Sequence, residues 1–423
     1  MKERGECGGA DCATEGIKLI QQDLFASITA AYANASGGKL ENNALYSAIS
    51  DSIALEQRIP IGASGDLHNP AKRQIRWYQQ TLKRLGLIER VDRGVWQLTS
   101  TVKDELHRAT AEVKLVAFST DLGVAIWARQ QDFFSAIQEP ISLCITSPPY
   151  PLRNARAYGN PSSAEYVDFV CKSLESIVKN LVPGASVILN ISNDIFEHKS
   201  PARSLYVERL VIALHDRLGL HLMDRIPWVN LSKPPGPTHW ACVNRVQLSA
   251  AYEPIFWFTN DPHKVRSDNR RVLEAHTEKH QKLMESGGAN RYGSYGDGAY
   301  TIRPHSYGKL TAGKIPRNVI QRGHSCKDTL NYRNIAKSLS LPVHGAMQPT
   351  SIPDFFIRLL TEPDELVVDP FGGTIRTGLA AERLGRRWMV TEWIAEYLRG
   401  AAELFRQKAG FNLHPAFHHL GSI

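Results

Sequence analysis

The sequence predicts an α/β fold with a mostly parallel sheet, preceded by a smaller helical unit that ends in a β-hairpin. Three observations carry this. From Val113 onward, short apolar runs of strand length alternate with amphipathic helical segments, the pattern of repeated strand–helix units. Ahead of them, the first 110 residues hold three helical patterns and one pair of strand-like runs. The chain has 423 residues, enough for two or three domains, and is 43% hydrophobic and 22% charged, which suits buried cores and excludes a disordered or fibrous chain.

Residues 1–16 are Gly-rich and read as a loose tail. Residues 17–35 read as a helix, with Ile17, Ile20, Leu24 and Ile28 at helical spacing. A second helix is expected over 42–54 and a third over 71–85, stopped by Gly86. The runs 87–91 and 95–99 flank Asp92-Arg93-Gly94, a hairpin signal. In the second part, strands are expected at 114–119, 141–146, 186–190, 220–228, 252–258, 366–369 and 388–392, with helices at 164–181, 205–218 and 377–384. Residues 261–340 have weak periodicity and are rich in Gly, Asn, Arg, Tyr and His, so they read as an insertion on the α/β core of 111–423.

Charge is unevenly placed. The formal net charge is +8, and residues 261–340 alone carry 15 Lys+Arg against 7 Asp+Glu. Such a patch suits a polyanion such as nucleic acid, or is a solvated basic surface. No run approaches the length of a membrane span, and the N-terminus lacks the apolar stretch of a secretory signal. The six cysteines are scattered without a C-x-x-C pair, which argues against a disulfide scaffold or a structural zinc site; no metal is expected, and the expected compartment is a reducing cytoplasm.

Two motifs carry chemistry. Ser147-Pro148-Pro149-Tyr150 follows a buried strand. Its prolines fix φ and remove two backbone donors, leaving carbonyls unclaimed, and Tyr150 offers a flat stacking surface. By itself Pro-Pro-Tyr is also a common turn; its place at the carboxyl edge of a strand is where α/β ligand sites lie. The second motif runs Asp369-Pro370-Phe371-Gly372-Gly373-Thr374-Ile375-Arg376-Thr377-Gly378, then a helix and a strand ending at Glu392. Glycines that admit close backbone approach, followed by an acid that can accept from ribose hydroxyls, follow nucleotide-cofactor logic, with a purely structural turn as the alternative. The absence of G-x-G-x-x-G disfavours a dinucleotide.

Together these motifs resemble the amino-directed DNA methyltransferases, and Ser-Pro-Pro-Tyr is similar to the N4-cytosine branch. The loop beginning at Asp369 resembles that branch's Asp-Pro-Phe-x-Gly-Ser-Asn-Thr-Thr-Gly and departs from it at Thr374, Ile375 and Arg376. The resemblance covers about 113–423. It implies a circularly permuted, Rossmann-like methyltransferase fold in the β motif order, since the catalytic motif precedes the cofactor motif with the basic insertion between them. It implies S-adenosylmethionine as cofactor, held by Asp369, Pro370, Phe371, Gly372, Gly373, Thr374 and Glu392. It matches Asp121 to an acid near the cofactor adenine, and His344 to Pro349 to a segment closing over the methionine part. Ser147, Pro148, Pro149 and Tyr150 are implied as the catalytic residues.

The N-terminal unit (17–110), with its Leu-Gly-Leu-Ile-Glu and Gly-Val-Trp-Gln-Leu-Thr runs, is similar to the winged helix of Mrr-type restriction proteins. Its third helix carries Lys72, Arg73, Arg76, Lys83 and Arg84, suited either to a DNA groove or to a protein partner. The resemblance implies double-stranded DNA as partner, and admits a cognate restriction endonuclease and a homodimer. Adenine-N6 methylation and a non-catalytic DNA-binding regulator are the competing readings. Ring-carbon methylation would need a Pro-Cys nucleophile, which the chain lacks.

Overall fold

The computed structural model describes residues 27–28, 31–32, 35, 38–50, 58–60, 67–85, 87–99, 106–111, 113–152, 161–231, 233 and 235–420. The tail 1–16 lies outside them, as does most of the helix expected over 17–35, of which Ile28 and Tyr32 are helical and buried.

In the N-terminal unit, β1 (Lys39–Glu41) leads into α1 (Asn42–Ala48). Helix α2 (Pro70–Arg84) starts on Asn69, whose side chain accepts from the Lys72 N–H, with Pro70 in the first turn, where its missing donor costs nothing. Ile75, Tyr78 and Leu82 bury one face of α2, while Arg73, Arg76 and Lys83 face solvent. The hairpin β2 (Ile88–Asp92) and β3 (Val95–Leu98) turns through Arg93-Gly94, since Asp92 pairs with Val95, and Gly94 takes φ +78°. The connection is therefore two residues, not three; the extra residue is a bulge between Arg90 and Asp92. β1 adds a third strand on the far side of β3.

The main sheet has ten strands. In chain order they are β4 (Lys114–Ser119), β5 (Gly123–Ala128), β6 (Ile141–Thr146), β7 (Leu181–Asn190), β8 (His221–Val229), β9 (Tyr252–Thr259), β10 (Ile320–Gln321), β11 (Leu366–Asp369), β12 (Arg387–Glu392) and β13 (Asn412–Leu413). Their spatial order is β10-β8-β9-β7-β6-β11-β12-β5-β4-β13. The centre, β7-β6-β11-β12-β5, is parallel throughout. Its strands are buried along nearly their whole length, as a sheet covered on both faces requires. Helices α3 (Tyr166–Lys179) and α4 (Tyr206–Leu218) pack on each other and on the sheet through Val170, Leu174, Leu210 and Leu214. Helices α5 (Lys327–Ser338), α6 (Ser351–Leu360), α7 (Arg376–Arg383) and α8 (Ala395–Ala402) belong to the other core cluster.

Several expectations shift. Strand β5 was not expected: its run Gly-Val-Ala-Ile-Trp-Ala has neither alternation nor helical spacing. It lies so close to β12 that a Cβ on Gly123 would sit 2.3 Å from the Trp388 carbonyl. Strand β7 begins at Leu181, not 186; Pro183 and Gly184 make an irregularity in its pairing with β6, between Leu181 and Ser186. The insertion also ends earlier than 340, because β10 joins the main sheet and α5 buries Tyr332 against Gly400 of α8. At its start, Arg266 and Arg271 are tied to Glu365 and Glu362 at the edge of the core. Beyond that it carries a helix, Glu278–Glu285, and a hairpin, Gly293–Tyr295 with Tyr300–Ile302.

The division at 110/111 cuts a bridge. The His107 imidazole sits 2.6 Å from Glu396, the Ala395 N–H donates to the His107 carbonyl, and the Ala109 N–H donates to the Trp393 carbonyl. A chain starting at residue 106 is therefore expected to melt several degrees above one starting at 111, the latter losing about three hydrogen bonds of roughly 1 kcal/mol each. Equal melting temperatures in a calorimeter would show that the bridge contributes nothing.

Candidate active site

One edge of the main sheet gathers the chemistry. The parallel strands β6, β11 and β12 end there at Thr146, Asp369 and Glu392, and β7 ends at Asn190. β8 delivers Trp228 to the same edge, and the antiparallel β9 starts there with Glu253. A cleft opens at this edge, as expected where neighbouring strands send their connections to opposite faces.

On one wall, Asp369 accepts from Thr146 Oγ1 (2.8 Å), Thr377 Oγ1 (2.7 Å) and the Phe371 N–H (3.0 Å). Burial raises its carboxyl to about 6, and these three donors oppose the rise. Asp369 thus stitches β6, the loop and α7 together. Glu392 accepts from the Gly373 N–H (2.8 Å) on one oxygen and the Ile394 N–H (2.9 Å) on the other. Burial pushes it to about 8; the backbone donors at Ile394, Gly373 and Trp393 oppose that, while the neighbouring Asp369 adds to it. Between the two acids the loop turns sharply: Gly373 has φ +51° and Ile375 φ +57°, a left-handed conformation that a β-branched residue adopts only at a cost. A Cβ on Gly372 would lie 2.1 Å from Val390 Cγ1, so only glycine lets the loop sit on β12. His344 packs edge-on against Tyr397 with its Nε2 beside Gly373.

On the other wall, Ser147 Oγ lies 2.8 Å from Tyr150 Oη, which reaches toward Asn190 Oδ1 at 3.5 Å. Burial holds the Tyr150 hydroxyl well above its ordinary value, with Glu253 adding to the shift and Ser147 opposing it, so it is a neutral donor. Glu253 faces His324 Nε2 at 3.5 Å and Lys233 Nζ at 3.6 Å, and the His324 ring packs on Trp228 at 4.7 Å.

The structure therefore brings Ser147, Pro148, Pro149, Tyr150, Asp369, Phe371, Gly372, Gly373, Thr374, Glu392 and His344 into one cleft. Pro370 and Pro349 are buried beside it without lining it; their carbonyls accept from Thr391 Oγ1 and the Ile352 N–H. Asp121 is not brought there. β4 runs antiparallel to β5, so its carboxyl end lies at the opposite edge of the sheet, where the Asp121 N–H donates to the Ala409 carbonyl. Placing Asp121 at the site assumed that β4 runs with the parallel strands, and the unrecognised β5 made it look so. Asn190, Trp228, Glu253, His324 and Arg376 also line the cleft. Asn190 carries a local signal, a polar residue closing an apolar strand; His324, in the aperiodic stretch between β10 and α5, carries none.

The sequence matches the DNA methylase family over residues 141–403. The chain belongs to that family. It is 35% identical over 276 residues to the type II methyltransferase M.PvuII of Proteus hauseri, a match spanning 63% of this chain and 78% of that one. To the type II methyltransferase M.BglII of Bacillus subtilis it is 24% identical over 264 residues, 61% of each chain. Among solved structures it is similar to the PvuII DNA methyltransferase (cytosine-N4-specific), with a TM-score of 0.55, 28% identity and coverage of 73% of this chain and 94% of that one.

The methyl donor of this DNA methylase is S-adenosylmethionine, and the residues present fit it. The loop between the acids is a tight glycine turn with Gly373 at φ +51° beside His344, and Glu392 is a buried carboxylate that accepts the Gly373 N–H on one oxygen and the Ile394 N–H on the other, with lone pairs left for hydroxyl donors. Among the described residues no cluster of three or more His, Cys, Asp or Glu side chains is placed to hold a metal ion, and no helix is long and apolar enough to cross a membrane.

Proposed function

We propose that this DNA methylase is a site-specific enzyme that methylates the exocyclic N4 of cytosine in a base flipped out of double-stranded DNA. The carrying observation is the placement of Ser147-Pro148-Pro149-Tyr150 at the carboxyl end of β6, in one cleft with the Asp369–Glu392 loop. The cofactor supplies an electrophilic methyl group when bound. Ser147 Oγ and the Pro148 carbonyl accept the two amine hydrogens, which draws the nitrogen lone pair out of conjugation and aims it across the cleft. Direct transfer, in which the N–CH3 bond would form as the donor's S–CH3 bond breaks and the amine would give up one proton through Ser147 Oγ to solvent, then depends on positioning and electrostatics rather than on a strong base. Tyr150 stacks on the flipped base, and the low walls of Trp228 and Tyr150 exclude water from it. The similarity to the cytosine-N4-specific PvuII DNA methyltransferase supports N4 rather than adenine chemistry.

Further readings have support of their own. The late position of β11 and β12 in the chain, although they occupy the middle of the sheet, supports a circularly permuted order. A three-stranded antiparallel sheet beside α2, with Arg73, Arg76 and Lys83 exposed, supports a DNA-binding winged helix. Both fit a chain of a bacterial restriction–modification system, acting in the cytoplasm. Incubation with labelled cofactor and genomic DNA, followed by digestion to nucleosides and mass spectrometry, is expected to yield N4-methylcytosine. N6-methyladenine would overturn the substrate and 5-methylcytosine the mechanism.

Target recognition is assigned to the insertion. Tyr292, Tyr295, Tyr300 and Tyr307 are exposed, so they are not packing residues, and Arg291 and Arg303 lie among them. If these and the nearby Arg317 and Arg322 grip phosphates, log K for DNA falls linearly with log[salt], and each Arg→Ala change flattens the slope by about 0.9. A slope indifferent to all four changes in a fluorescence titration would place the DNA elsewhere.

A further inference from the structure

Arg376 opens α7 and lines the cleft, yet it is only 4% exposed. Its Nε donates to Thr374 Oγ1 (3.1 Å), and its Nη2 donates to the Asp328 carbonyl (3.0 Å) and lies 3.9 Å from Met347 Sδ. Its guanidinium carbon stands 5.7 Å from the centre of the Tyr332 ring. Nη1 is buried and has no partner among the described residues. Every acceptor it does have is uncharged. The carboxylate that attracts it, Asp328, is shared, since Arg383 grips both its oxygens at 2.7 Å. A guanidinium is always charged, and burying one without a counter-charge is costly. The cost is offset when an anion arrives.

The cleft suits that anion. Of its acids, Asp369 and Glu392 on the same wall are engaged by the donors of the loop and of Thr146 and Thr377, and Glu253 on the other wall faces His324 and Lys233. Arg376 stands at the N-terminus of α7, where the first backbone N–H groups have no partners within the helix and the helix dipole favours negative charge. The guanidinium fork matches a carboxylate in shape and charge. The loop motif of the N4-cytosine branch quoted above carries an uncharged Thr where Arg376 stands, so this feature belongs to this chain.

We propose that Arg376 is the counter-ion of the methionine carboxylate of S-adenosylmethionine, with Thr374 and Asp328 holding the guanidinium in place for it. The inference rests on reading the cleft as the cofactor site, and one comparison separates the two. Calorimetric titration of the full chain is run with S-adenosylmethionine and with its decarboxylated form, which differs only in that carboxylate. The unaltered protein is expected to prefer S-adenosylmethionine by about 10- to 100-fold, the range of a hydrogen bond to a charged group. Arg376→Gln abolishes that preference by weakening S-adenosylmethionine alone, leaving the decarboxylated form as tight or tighter. Arg376→Lys, which keeps the charge but loses the fork, reduces the preference without abolishing it and serves if the Gln variant does not fold. Equal binding of both forms by the unaltered protein overturns the role of Arg376 and leaves the cofactor site standing; binding of neither overturns the site itself. Equal losses for both forms in the variants make Arg376 a purely structural residue and also overturn the proposal.

Discussion

Replacing Ser147 by Ala is expected to slow methyl transfer by roughly 100- to 1,000-fold, the effect of losing one aimed hydrogen bond in a transition state. The backbone at 147 is set by β6 and the two prolines that follow, so the change removes an oxygen and little else. Two consequences separate this from a disturbed fold. Cofactor affinity should not move, because Ser147 lies on the base wall and the loop at Asp369 is held through Thr146, not Ser147. Tyr150 keeps its ring but loses the 2.8 Å contact that orients its hydroxyl, so base capture weakens only modestly. Tyr150→Ala should instead raise KM for DNA as well as lower kcat, since base–aromatic stacking contributes about 1–3 kcal/mol. Single-turnover rates with saturating cofactor, alongside calorimetric binding, check this. A Ser147→Ala protein with unimpaired single-turnover rate would remove the residue from the chemistry.

The sequence showed much of the site because the site is local in sequence. Asp369 to Thr377 is one turn between a strand and a helix, with Gly372 demanded by close packing on Val390 and Gly373 by its positive φ, so the chemistry and the spacing travel together. Ser147 to Tyr150 is likewise one strand end. The base wall was less legible. Trp228, Glu253 and His324 come from three separate segments that meet only because β8, β9 and β10 neighbour one another, a long-range fact that no local pattern encodes. Asp121 failed for the same reason in reverse: its local pattern, an acid after a buried strand, suits a site, but the direction of β4 is decided by its partner β5. Arg376 stood out in the sequence only as a departure from a motif; that its charge is buried with no carboxylate of its own emerged from the packing of α5 and Met347 around it.

Glu392 gives the last expectation, a pH dependence whose sign can be worked out. Burial holds its carboxyl at about 8 in the folded chain, against about 4.3 for an exposed glutamate. At neutral pH the folded protein without cofactor therefore keeps a proton that the unfolded chain has lost. The contribution of this group to stability falls as pH rises from the unfolded value toward 8, and the melting temperature of the cofactor-free protein is expected to fall over that window. Cofactor binding runs the other way. Ribose hydroxyls are donors, so they favour the ionised carboxylate; binding releases a proton below pH 8, and affinity should rise by about tenfold per pH unit up to that point and then level off. Asp369, at about 6, titrates in the same cleft, so the slope is cleanest between pH 6.5 and 8. Glu392→Gln removes the titrating group while keeping the shape. It should bind S-adenosylmethionine with an affinity independent of pH across this window and release no proton. It should be weaker than the unaltered protein by about 10- to 100-fold at pH 8.5, the range of a lost charge-assisted hydrogen bond, with little difference near pH 6. Calorimetry at several pH values, in two buffers of different ionisation enthalpy, counts the proton directly. A flat affinity profile in the unaltered protein, or a slope that survives in Glu392→Gln, would mean that Glu392 does not hold the ribose and that its burial serves only the turn at Gly373.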